Sequence, residues 1–299
     1  MNALLFLSVV LIWGLTWFAI HLQLGGTTVD VAIFWRFAVS VVLLGSGLAL
    51  TGRLRRPSRE AVPWLAGMGA CLFSCNFLAI YSSEMFLPSG IVSVVFSMSV
   101  ILNVLNQWLF FRQRPDIRAL IGGMFGVCGV AMLLGGGADT GAASSVGTGL
   151  ALALLGTTLF SCGNMLSRRV ARFDLGLPNA VLWAMVFGVF LMGVNVFTQG
   201  HSFMPVMTAR WLGGLGYLAA MGTVAGFLFY LMLAQRIGAD RAAYTTILSP
   251  VIALGVSAFF EGGHWSELMM AGLFLILCGN VVAFARVRAV RQPMEVEQG

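Results

Sequence analysis

The chain has 299 residues, 59% of them hydrophobic and only 9% charged, with a mean hydropathy of +0.93. A water-soluble domain of that size needs far more surface charge, so the composition excludes one. The net charge of +6 rests on seventeen basic residues, all arginine. Their placement between apolar runs is topological, so no nucleic-acid partner is inferred from it.

Ten apolar runs follow one another, each near the length of about 20 residues that a membrane-crossing helix needs. The first, 3–22, lacks a basic leader and an A-x-A cleavage site, so it reads as a retained span. It carries Trp13 and Trp17, four apart on one helix face, and His21 at its outer end. The second, 30–51, holds Arg36 about two turns inside its outer end. The third, 62–81, holds Asn76, and the fourth, 88–111, holds Ser97, Ser99, Asn103, Asn106 and Gln107. The fifth, 119–136, carries Gly122-x-x-x-Gly126. A small, polar outer-side linker, 137–146, comes next.

The sixth run, 147–167, holds Asn164, and the seventh is 178–198. The eighth, 211–232, carries Gly222-x-x-x-Gly226. The ninth, 242–260, has Thr245, Thr246, Ser249 and Pro250. The tenth, 268–286, holds Asn280, and a polar tail, 287–299, follows. Pro63, Pro88 and Pro178 fall at the starts of spans, where a missing N–H costs little. The five cysteines, Cys71, Cys75, Cys128, Cys162 and Cys278, lie within apolar runs without metal-ligand spacing and read as small packing residues.

Fifteen arginines fall in alternate gaps: 53, 55, 56 and 59; 112, 114 and 118; 168, 169 and 172; 236 and 241; 286, 288 and 291. Short arginine-rich loops stay on the cytoplasmic side. The pattern predicts ten spans in an inner (plasma) membrane with both termini cytoplasmic. Arg210 and Arg36 are the exceptions.

The linker divides the chain into halves, 1–136 and 147–286, of five spans each. A shift of 150 matches Ser99 with Ser249, Phe110 with Phe260, Gly122 with Gly272 and Cys128-Gly129 with Cys278-Gly279. With an odd number of spans, the second half enters from the opposite face. The expected fold is therefore an all-α membrane protein: ten transmembrane helices in two inverted-topology five-helix repeats around a central cavity. Such repeats place substrate near the midplane and alternate access by rocking.

Intramembrane polar residues supply the candidates. Arg36 either snorkels to the outer interface or faces the cavity, where its guanidinium fork suits a carboxylate. Asn76, Ser97, Ser99, Asn164, Thr245 and Ser249 lie near mid-depth, as cavity lining or interhelical glue. Asn106, Gln107 and Asn280 read as glue. Pro250 is a static kink or a hinge. Trp13 and Trp17 offer a stacking surface or ordinary packing. Asp30, Glu84, Glu261 and Glu267 all fall at outer ends. That leads to the expectation of transport that does not depend on protonating an acidic residue. His21 is the nearest other proton site, and an interfacial histidine is its plainer reading.

The chain resembles the EamA-domain branch of the drug/metabolite transporter superfamily. The resemblance runs over 3–286 and rests on Trp13-Gly14 with His21, Phe34-Trp35-Arg36-Phe37, Ser249-Pro250-Val251 with Phe260-Glu261, and Gly272…Cys278-Gly279-Asn280-Val281. The first half departs from it, with Val100 opposite Pro250 and Phe111 opposite Glu261. Within the family the chain is most similar to the bacterial aromatic amino-acid exporters (YddG-type). The resemblance implies a secondary transporter exporting small metabolites, aromatic or apolar amino acids foremost, or else drug-like or nucleotide-type metabolites. An intramembrane enzyme would need a nucleophile with its base or a metal cluster, and no such motif is present, nor any cofactor motif. The partners expected are a small-molecule substrate and the lipid bilayer, and a single chain suffices.

Overall fold

The computed structural model describes residues 2–24, 26–112, 117–139, 143–237, 244–261 and 266–284. All regular structure among them is helical. Lipid offers the backbone no hydrogen-bond partner, so an apolar run in a membrane closes its bonds within itself. The helices are α1 (Asn2–Gln23), α2 (Val29–Leu50), α3 (Val62–Phe73), α4 (Cys75–Ser83), α5 (Ser89–Ser97), α6 (Ser99–Phe111) and α7 (Ile117–Asp139). The second half has α8 (Ala143–Val170), α9 (Leu177–Thr198), α10 (Ala209–Gly216), a π-helical segment (Tyr217–Ala225), α11 (Gly226–Ile237), α12 (Tyr244–Phe260) and α13 (Glu267–Phe284). Among the described residues, eight stretches are long and apolar enough to cross a membrane, and Thr245–Phe260 and Glu267–Ala283 are shorter apolar helices.

Two features differ from the sequence expectation. The linker expected at 137–146 is largely helix among the described residues, because α7 runs to Asp139 and α8 begins at Ala143; the alanines there favour helix. The third and fourth spans are also interrupted. Ser74 leaves the helical region (φ −140, ψ −88) between α3 and α4. At the same place in the second half, Thr223 Oγ1 donates to the Leu218 carbonyl at 2.8 Å inside the π-segment. Between α5 and α6 the Met98 N–H turns back to the Val95 carbonyl at 3.0 Å, a tight three-residue turn. Met98 lies two residues before Val100, which the 150-residue shift matches to Pro250. The fourth span is thus interrupted in one half by a tight turn and carries a proline in the other.

Glycines set the packing. A Cβ at Gly122 would stand 2.4 Å from the Gly279 carbonyl oxygen, and one at Gly129 would stand 2.6 Å from that of Gly272. Helices α7 and α13 therefore run antiparallel in backbone contact. The two pairs exchange places under the 150-residue shift, as a two-fold axis between antiparallel helices requires. The first span of each half lies against the third span of the other. Gly156 and Gly163 of α8 abut α4 and α3, while Gly214, Gly222 and Gly226 abut α1.

Among the described residues, arginines of three gaps meet at one end of the bundle. The Arg55 N–H donates to Asn179 Oδ1 at 2.9 Å, Arg169 lies over Trp64 and Arg168 over Phe111. The opposite end carries the Asp30–His201 ion pair at 2.8 Å and the Trp35 indole bond to the Phe203 carbonyl at 2.7 Å. Arg114, Arg241, Arg286, Arg288, Arg291, His264 and the tail 287–299 lie outside the described residues.

Candidate functional site

Arg36 does not reach the outer interface: it is 3% exposed. Nη1 donates to the Tyr81 hydroxyl at 3.2 Å, and Nε stands 3.5 Å from Thr223 Oγ1. The guanidinium carbon lies 4.6 Å from the Phe77 ring centre and 5.4 Å from that of Phe37. Among the described residues no carboxylate comes within salt-bridge distance of it. Tyr81, itself fully buried, donates to Gln23 Oε1 at 3.2 Å, which extends the network to α1. The irregular backbone explains the meeting. The break at Ser74 starts α4, which carries Phe77 and Tyr81, and the π-segment carries Thr223. Helix π-bulges often mark functional positions.

An aromatic wall stands beside this network. Trp17 meets Phe96 edge to face at 5.3 Å, and Phe96 meets Phe160 at 4.8 Å. Trp17 packs against both hydrophobic cores, so it sits at their junction. Trp13 turns to α11 instead, against Tyr230 at 5.2 Å and Phe227 at 5.9 Å. Ser249 places its carbonyl 3.1 Å from where a Gly14 Cβ would stand, which seats α12 on α1 one turn from Trp17. Ser99 opens α6 and is buried, as is Thr245.

The remaining candidates divide. Asn76 is buried, and neither side-chain polar atom has a hydrogen-bond partner. Its backbone carbonyl and Ile80, one turn on, meet Gly156 of α8. Ser97 accepts from Asn280 Nδ2 and donates to the Val94 carbonyl. Asn164 donates to Asn103 Oδ1 at 3.2 Å, in a cluster that Ser161 and Asn106 complete. Ser97 and Asn164 thus bond neighbouring helices in clusters apart from Arg36. Pro250 lies within α12. His21 stacks on Phe18 at 6.3 Å and lines a pocket of 310 Å³ with Leu24, Thr27, Thr28, Val29, Glu84 and Met85.

Glu84 falls at a helix end like Asp30, Glu261 and Glu267, but its surroundings differ from theirs. It is 6% exposed, and both carboxylate oxygens are buried without a partner. Burial first, and then the charge of Glu261, hold its carboxyl well above the usual carboxylate range, while Arg36 pulls the other way. Glu261 accepts from the Ser89 N–H at 2.8 Å, from the Ser89 hydroxyl, and from the Ser257 hydroxyl at 3.1 Å, so it caps α5. Sequence position alone put both glutamates just past a helix end. The packing that buries one and satisfies the other carries no local signal.

The EamA-like transporter family model matches the chain twice, over residues 1–135 and 147–285. The chain belongs to the EamA-like transporter family. It is a membrane transporter. A probable amino-acid metabolite efflux pump of Salmonella typhimurium is 23% identical to this EamA chain, over 97% of it and 98% of the relative. An uncharacterized inner membrane transporter of Escherichia coli, YedA, is also 23% identical, over 92% and 88% of the two chains. A solved crystal structure superposes with a TM-score of 0.65 at 17% identity, covering 97% of this chain and 99% of that one, a likeness of fold alone.

Proposed function

We propose that the chain exports small metabolites, aromatic or apolar amino acids foremost, across the inner membrane by alternating access. In this reading it has ten spans in two inverted repeats, with both termini cytoplasmic. The observation that carries it is Arg36, a buried guanidinium with aromatic neighbours and no carboxylate partner among the described residues. A buried unpaired charge is costly, and a substrate carboxylate would neutralise it while the side chain stacks near Phe77 and Trp17. Its two side-chain contacts, Tyr81 and Thr223, come from different halves, which suits a site between rocking repeats. The reciprocal glycine contacts of α7 and α13 support the inverted arrangement, and the name of the Salmonella relative supports amino acids.

The experiment is uptake of a panel of amino acids and nucleotides into liposomes that hold only this protein. Saturable flux of phenylalanine, tyrosine or leucine supports the reading. Flux of nucleotides with none of amino acids would replace it.

A further inference from the structure

We propose that Glu84 is a proton-exchange site: it holds a proton while its pocket is empty and releases it when a cationic ammonium group enters. The inference rests on the amino-acid reading for the ammonium, and on geometry for the proton. Glu84 follows α4 directly, about one turn beyond Tyr81 and so at the end of the Arg36 network. Both oxygens are buried and neither has a partner, yet the residue borders the 310 Å³ pocket shared with His21, Thr27 and Thr28. A buried carboxylate in that state takes up either a proton or a cation.

The groups around it decide between the two. Arg36 on α2 is close enough to act on Glu84 electrostatically but forms no salt bridge with it. Tyr81, one turn back on α4, already bonds Arg36 and Gln23. Glu261 at the end of α12 adds negative charge, and its own acceptors are taken by Ser89 and Ser257. Asp30 on α2 is held by His201. His21 faces the same pocket from α1. No cation among the described residues neutralises Glu84 directly, so a proton does so in the empty pocket. A second polar atom, Gln23 Nε2, is also buried without a partner beside Tyr81.

An α-amino acid carries the two complementary charges. Its carboxylate would go to Arg36 and its ammonium to Glu84. The ammonium favours the ionised carboxyl, so the proton on the Glu84 oxygen leaves to the face from which the substrate has entered, and another is taken up on the opposite face once the substrate is released there. By linkage, the proton and the ammonium compete for one site. Outward movement of substrate is then exchanged for inward movement of a proton. This revises the expectation that no acidic residue takes part.

The test uses the full-length protein in lipid nanodiscs, by infrared difference spectroscopy and a pH-sensitive dye. At neutral pH the wild type should show a protonated-carboxyl band that Glu84→Gln lacks and Glu267→Gln, altered at an exposed outer-side glutamate, keeps. Adding L-phenylalanine, or phenethylamine as an ammonium without a carboxylate, should remove the band and release about one proton per ligand bound. Glu84→Gln should release none. Absence of the band, its survival in Glu84→Gln, or failure of both ligands to release a proton would overturn the assignment. Release by phenethylamine with no response to phenylalanine would leave Glu84 standing and remove the amino-acid reading.

Discussion

Tyr81 holds Arg36 by a single hydrogen bond of 3.2 Å, and it is the only side chain of its own half, among the described residues, that bonds the guanidinium. The other contact, Thr223, comes from the second half. If Arg36 receives a carboxylate, two substitutions separate its charge from its orientation. Arg36→Gln removes a charge-assisted bond worth about 1.5–3 kcal/mol, so binding should weaken roughly tenfold or more. Tyr81→Phe keeps the charge but removes the orienting bond, about 1 kcal/mol, together with the hydroxyl's bond to Gln23, and should weaken binding several-fold. Equilibrium binding of labelled phenylalanine to both purified variants measures this. Unchanged affinity in Arg36→Gln would leave Arg36 a structural residue.

Pro250 predicts a different signature. Alanine there restores a backbone donor inside α12 and stiffens the helix. Turnover should fall by more than binding, since conformational steps govern flux in carriers. Flux and affinity are to be measured in the same vesicles. Equal flux in Pro250→Ala and wild type would make the proline a static kink. The first half has its tight turn at Met98, two residues from the matching position, so no proline is needed there.

The glycine contacts of α7 and α13 leave no room for a side chain. At Gly129 a Cβ would stand 2.6 Å from the Gly272 carbonyl oxygen, which is backbone and cannot swing away. Gly129→Ala should therefore cost about 1–3 kcal/mol by overpacking. Gly47, with nothing within 4 Å of its would-be Cβ, serves as the control and should tolerate alanine. Thermal unfolding of both variants in detergent distinguishes them. Equal midpoints would show that the α7–α13 contact relaxes.

The ends of the helices were legible because spanning length and arginine position are chain-local properties. Val29–Leu50 and Leu177–Thr198 fall within one residue of the expected 30–51 and 178–198. The π-segment at Tyr217–Ala225 and the break at Ser74 were not, since neither holds a proline and both depend on packing between halves. Among the candidate residues, the isolated arginine stood out as a charge where charge is rare. Asn164 and Ser97 looked the same in sequence as Asn76. Only the neighbouring helix decides that the first two find partners in Asn103 and Asn280 and the third finds none.

Topology is open to direct labelling. In a background without the five native cysteines, Ser58→Cys sits in the arginine-rich loop after α2 and Ser144→Cys in the first turn of α8, at the other end of that helix from Arg168 and Arg169. A membrane-impermeant maleimide should label Ser144→Cys in intact cells and reach Ser58→Cys only after lysis. The reverse pattern would invert the whole assignment.

Glu84 also predicts how stability depends on pH. In the folded protein its carboxyl is raised well above 4.5, whereas in an unfolded chain it titrates at the ordinary value. Between those two values the folded state binds a proton that the unfolded state does not. Stability from this residue is therefore full below the unfolded value and is lost as pH rises toward the folded one. The slope approaches about 1.4 kcal/mol per pH unit inside that window. Glu84→Gln has no such proton to lose, so its stability relative to wild type should increase as pH rises from about 5 to about 8. Chemical denaturation of the two proteins across that range gives the difference directly. A constant gap would mean that Glu84 titrates alike in both states, in which case its carboxyl reaches water in the folded protein and exerts no pull on protons beyond that of a free side chain.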